Sequence, residues 1–145
     1  MTTISLSLAA ICSDILAESA LYHHINPDKP TPLTSDNVSL LRQLVSGEFA
    51  NLCLELSPVV DSTTVSPDGE IMQITFNCHP AHAGELRRSI ERLLALRVMV
   101  RGYASAVPSQ SAALKVSATA MYDAVSAQVA DSADGGRLRI PSVAY

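Results

Sequence analysis

At 145 residues, with a net charge of −4, 48% apolar and 17% charged side chains, the chain is long enough to bury a core as one domain and lacks the basic balance of a DNA-binding protein. Trp is absent and Phe occurs twice, so that core is built from Leu, Ile, Val and Ala, and a mean hydropathy of +0.22 leaves apolar surface for a partner to cover. The charge is uneven: residues 1–70 hold nine acids and two bases (net −7), and residues 71–145 hold five acids and eight bases (net +3), so the halves either neutralise each other within one molecule or dock copies head to tail.

No stretch approaches the roughly 18 uninterrupted apolar residues of a membrane span. The opening "MTTISLSLAAICSDILAES" is apolar, but no basic stretch precedes it and Asp14 and Glu18 interrupt it, so it is expected to be a helix rather than a signal peptide. That helix is predicted over residues 5 to about 22, with Leu8, Ile11, Cys12, Ile15, Ser19 and Tyr22 on one face. "NPDKPTP" breaks it. A second helix, capped by Thr34 or Ser35, follows the 3.6-residue period through Val38, Leu41, Leu44, Val45, Glu48, Leu52 and Leu56. Gly47 inside it costs about 1 kcal/mol against Ala and implies a close neighbour there.

Across "VVDSTTVSPDGEIMQITFNCH" the period changes to two. "SPDG" reads as a turn, with Pro67 presetting φ, Asp68 bonding back to the backbone and Gly69 taking positive φ. Met72, Ile74 and Phe76 alternate with polar neighbours as one strand, and Val59 to about Val65 is its partner, a hairpin that needs helices or another chain beside it. A third helix is predicted over about 82–104, with Leu86, Ile90, Leu93, Leu96, Val100 and Tyr103 on its apolar arc. A fourth, Ala-rich, runs from Ser109 or Ser111 to about residue 131 and carries Leu114, Met121, Val125 and Val129. The expected fold is mainly α: a four-helix bundle-like domain over 1–134 with one small β-hairpin near 59–78, and an extended C-terminal arm over 135–145.

The nearest approach to a chemical site is "CHPAH", where Cys78, His79, His82 and Glu85 fall within eight residues. Zinc takes such ligands, yet the spacing matches no zinc pattern and no second cluster follows, so no metal is expected. A Cys78 nucleophile would need an orienting third group and an oxyanion hole, for which the sequence offers nothing. No phosphate loop or catalytic carboxylate pair is present, and the expectation is a protein that is not an enzyme and has no cofactor. Cys12, Cys53 and Cys78 are odd in number and set among apolar residues, as buried free thiols in a reducing compartment would be.

The third helix concentrates charge: Arg87, Arg88, Arg92, Arg97 and Arg101 supply half of all the bases. Arg97 falls inside the apolar arc and so requires a partner. The run is either a solvated face or a patch whose guanidinium forks hold the carboxylates of a neighbour. After Gly135-Gly136, Arg137, Leu138, Arg139 and Ile140 alternate polar and apolar, and Pro141 and Ser142 lead to Val143 and Tyr145. Nine extended residues span about 30 Å, enough to cross onto an adjacent molecule and add a strand to its hairpin.

The order helix, Pro-broken loop, long helix, hairpin, Arg-bearing helix, Ala-rich helix and basic tail "RLRIPSVAY" resembles the small helical head–tail connector (adaptor) proteins of tailed bacteriophages. It is similar above all to those of Bacteroides-type phages and prophages. That resemblance implies a non-enzymatic virion subunit assembled in the bacterial cytoplasm. It would sit in a ring, commonly twelvefold, between portal and tail proteins, with DNA passing through the channel and no membrane involved. It carries over no catalytic residues. The arginines of the third helix and Arg137, Leu138, Arg139, Ile140, Val143 and Tyr145 are then the expected subunit interface. The alternative is a small cytosolic helical binding or regulatory protein that holds an acidic partner through its Arg-rich helix.

Overall fold

A computed structural model gives the fold for residues 1–133. The described residues form four helices and a three-stranded antiparallel sheet: β1 Thr2–Ser7, α1 Leu8–Ile25, a 3-10 turn Ser35–Asn37, α2 Val38–Glu55, β2 Val60–Val65, β3 Ile71–Phe76, α3 Ala83–Tyr103 and α4 Pro108–Ala133. No described helix is long and apolar enough to cross a membrane.

The start of the chain corrects the expectation of a helix from residue 5. Residues 2–7 are a strand that pairs with β3 from Thr2↔Phe76 to Ser7↔Ile71, and the sheet order is β1-β3-β2. Ile4 and Leu6 alternate with Thr3, Ser5 and Ser7, so Ile4 and Leu6 enter the core and the hydroxyls face out. Ser7 ends the strand and begins α1, its Oγ accepting the Ala10 N–H at 3.2 Å. The hairpin therefore gains its third strand from its own chain.

The turn between β2 and β3 forms as its residues dictate. Gly69 has φ 78°, and the Asp68 carboxylate accepts from the Ser66 hydroxyl and the Glu70 N–H. The outer sheet face is a ladder of uncharged polar groups, with Thr3 on Thr75 at 2.8 Å and Gln73 donating to Ser5 at 3.0 Å.

α3 is the axis of the molecule and packs against α1, α2, α4 and β1. Its burial is accordingly wider than one arc: Leu93, Leu94, Ala95 and Leu96 are consecutive and all buried, as are Val98 and Met99. α4 begins with Pro108, where a missing N–H costs nothing, and lies back along α3, with Ser111 Oγ donating to the Val100 carbonyl at 2.8 Å. Leu114, Ala118, Val125 and Val129 form its buried stripe.

The glycine expectation is also corrected. A Cβ at Gly47 would meet nothing within 4 Å; the close approach is at Gly102 in α3, where a Cβ would lie 2.6 Å from a Leu33 methyl. Leu33 comes from the proline-broken loop, which is held down by Ser19. The Ser19 hydroxyl donates to the Leu33 carbonyl at 3.0 Å and therefore accepts from the Tyr103 hydroxyl at 2.9 Å.

Candidate functional site

Four of the five α3 arginines hold carboxylates of this same chain. Arg87 pairs one turn along with Glu91 at 3.0 Å, and Arg92 grips Glu18 with Asp14 nearby. Arg97 forms a bidentate pair with Glu55 at 2.7 and 3.1 Å and lies 5.2 Å from the centre of the Tyr122 ring. Arg101 pairs with Glu48 at 3.1 Å. Arg97 thus finds the partner its position in the apolar arc requires, and it ties α2, α3 and α4 together.

These pairs also decide how the two halves meet. Glu18, Glu48 and Glu55 belong to the acidic half, and the arginines that hold them belong to the basic half, so much of the opposition is neutralised within one molecule. Arg88 is the exception, exposed and in no ion pair among the described residues. Arg92 and Arg97 hold their carboxylates with both guanidinium nitrogens, whereas Arg87 and Arg101 use one each and stay partly exposed.

The "CHPAH" residues do not gather. No group of three or more His, Cys, Asp or Glu side chains able to hold a metal occurs among the described residues. Cys78 is buried, whereas His79 is exposed beside the Met1 amino group. Burial pushes the Cys12, Cys53 and Cys78 thiols up, Cys53 to about 11, which keeps them protonated and weakly nucleophilic at neutral pH.

Two concavities flank α2. On one side, Glu48, Arg97, Arg101, Lys115 and Tyr122 line a basic hollow of about 330 Å³ under α4. On the other, α2 and β2 bound a groove of about 560 Å³ lined by Phe49, Ala50, Cys53, Leu54, Val60 and Val65. The groove is the open margin of the core. The inner face of the sheet is buried at Ile4 and Leu6 on β1 and at Met72, Ile74 and Phe76 on β3. On β2 the residues opposite the last three are Val65, Thr63 and Val60, on the same face by pairing. Yet Thr63 is exposed and Val65 is 55% exposed, while Leu54 across the groove is 73% exposed.

Sequence reasoning missed this groove because it lies between segments that look unremarkable alone; the signal was Leu54, an apolar position off the buried face of α2, beside Val65 at the end of β2. Of the expected interface, Arg137, Leu138, Arg139, Ile140, Val143 and Tyr145 lie outside the described residues. No protein-family model, curated protein or solved structure matches this chain.

Proposed function

We propose that this chain is a building subunit that joins copies of itself through heterologous contacts, in the manner of a phage head–tail connector. In this reading the helices are a bundle-like body, residues 135–145 are an extended arm, and the ring bridges portal and tail proteins in a virion. The observation that carries it is the uncovered inner face of β2. A monomer that leaves Val65 and Leu54 open along one groove is finished by something docking there. Contacts between two different patches close into rings when the rotation between subunits allows. The layout of helices and basic tail set out above supports the connector assignment in particular.

Native mass spectrometry and negative-stain imaging of the full chain test the proposal. A closed oligomer of one fixed copy number is expected. A monomer at every protein concentration overturns it.

A further inference from the structure

We infer that the groove between α2 and β2 receives residues 137–140 of a second copy as an added strand along Ser62–Val65, with Leu138 and Ile140 filling the groove. This rests on the assembly reading above and names the occupant of that surface.

The sheet has two edges, and β2 is the one that borders the groove. β1 occupies the far side of β3, and the end of β1 is covered by α3, where the Ser7 N–H donates to Glu91 at 3.2 Å. β2 stands at the sheet edge with no strand beyond it among the described residues. Its register slips between Val60 and Ser62, a bulge at Asp61 that spoils pairing at that end and leaves Ser62–Val65 as the regular edge. Four residues of pairing match Arg137-Leu138-Arg139-Ile140, which end before Pro141, a residue with no N–H to give.

The side chains match as well. Leu138 and Ile140, two apart, point to one face of an extended chain. That face continues the inner surface of the sheet past Thr63 and Val65 toward Ala50, Cys53 and Leu54. Arg137 and Arg139 then lie on the outer face. At the bulge, Asp61 is exposed and in no ion pair among the described residues, so a carboxylate is available to one of them.

A second copy is the donor because of where α4 lies. Glu48 and Glu55 reach from one flank of α2 to α3, beside α4, whereas Ala50, Cys53 and Leu54 line the groove on the opposite flank. A segment following α4 must wrap past the body to reach its own groove. It enters a neighbour's groove directly when that neighbour's α2 flank faces α4. Only residues 134–136 separate the end of α4 from the added strand, a reach of about 13 Å when extended, so the receiving groove must lie close beside the end of α4.

Cys53 supplies the readout. The full chain, a chain truncated after Gly136, and the variants Ile140→Asp and Leu54→Asp are alkylated with iodoacetamide at pH 8.5. Labelling is mapped by mass spectrometry, and oligomeric state is measured in parallel. Leu54 is exposed, so its replacement leaves the fold intact and separates docking from folding. The expected result is an assembled full chain in which Cys53 labels about tenfold more slowly than in the truncated chain, with both variants behaving like the truncation. A synthetic peptide of residues 136–145 added to the truncated chain is expected to restore the protection. If the truncated chain assembles as well as the full one, the occupant is wrong and the assembly reading stands. If the full chain is monomeric with Cys53 protected, the segment fills its own groove, and the second copy is wrong. If the full chain is monomeric with Cys53 freely labelled, both readings fail. If the peptide gives no protection at a large excess, the assignment of Leu138 and Ile140 to the groove fails.

Discussion

Gly102 and Gly47 are both helical glycines with opposite meanings. At Gly102 an added methyl overlaps the Leu33 side chain, with three of its atoms within 2.9 Å, and Leu33 is packed in the core with its backbone pinned by Ser19, so the side chain has little room to move aside. Gly102→Ala is expected to destabilise by about 1–3 kcal/mol, overpacking outweighing the gain in helix propensity. Gly47→Ala meets open space and is expected to stabilise by about 0.5–1 kcal/mol. Urea unfolding at constant m-value measures both. The thiols set a second expectation at this scale. Folding raises the Cys53 pKa to about 11, chiefly by burial, and raises Cys12, Cys78 and Tyr103 by the same cause. An acid held protonated in the folded state binds its proton more tightly there than in the unfolded chain. Its contribution is complete below the unfolded value near 8.5 for a thiol, and is lost as pH rises through the folded one. The melting temperature is therefore expected to fall between about pH 8.5 and 11, and to fall less in Cys53→Ala.

At the scale of elements, the Arg97 junction is the point where α2, α3 and α4 are fixed to one another. Arg97→Lys keeps the charge but loses the fork on Glu55 and the guanidinium contact over the Tyr122 ring. With Glu55 39% exposed, water screens part of the pair, and a loss of about 1 kcal/mol in chemical unfolding is expected. The helices were legible in the sequence because burial follows a 3.6-residue period on α1 and α2, where Leu8, Ile11, Cys12, Ile15 and Ser19, then Leu41, Val45, Glu48, Phe49 and Leu52, are the buried residues. Asp68 and Gly69 made the turn legible by their own chemistry. β1 was not read, although the alternation of Ile4 and Leu6 with Thr3, Ser5 and Ser7 was present. Six residues running straight into a helix share their apolar side chains with its first turn, and Leu8 fits either period. The groove was illegible for a different reason: it is a relation between α2 and β2 that exists only once α3 has drawn the sheet and helices together.

For the whole molecule, the buried core runs from Ile4 to Val129 within the described residues, so the body holds its own hydrophobic centre without the last segment. The chain truncated after Gly136 is expected to unfold cooperatively at a temperature independent of its concentration. The full chain is expected to melt at a temperature that rises with concentration, because binding a neighbour stabilises only the folded state. A scan over a hundredfold range of concentration measures the difference.

The pairing of β1 with β3 has a consequence for how the protein is made. Ile4 and Leu6 leave the ribosome well before their partners in the sheet, Met72 and Ile74, which lie some seventy residues behind. At about 5–20 residues per second, β1 waits on the order of 4–14 s for its mate, through the synthesis of α1, α2 and β2. The α3–α4 hairpin, by contrast, meets itself as soon as it is synthesised, because its partners are close in sequence. Sheet closure is thus the long-range step of folding, although β3 is made before α3 and α4 and can pair with β1 before they exist.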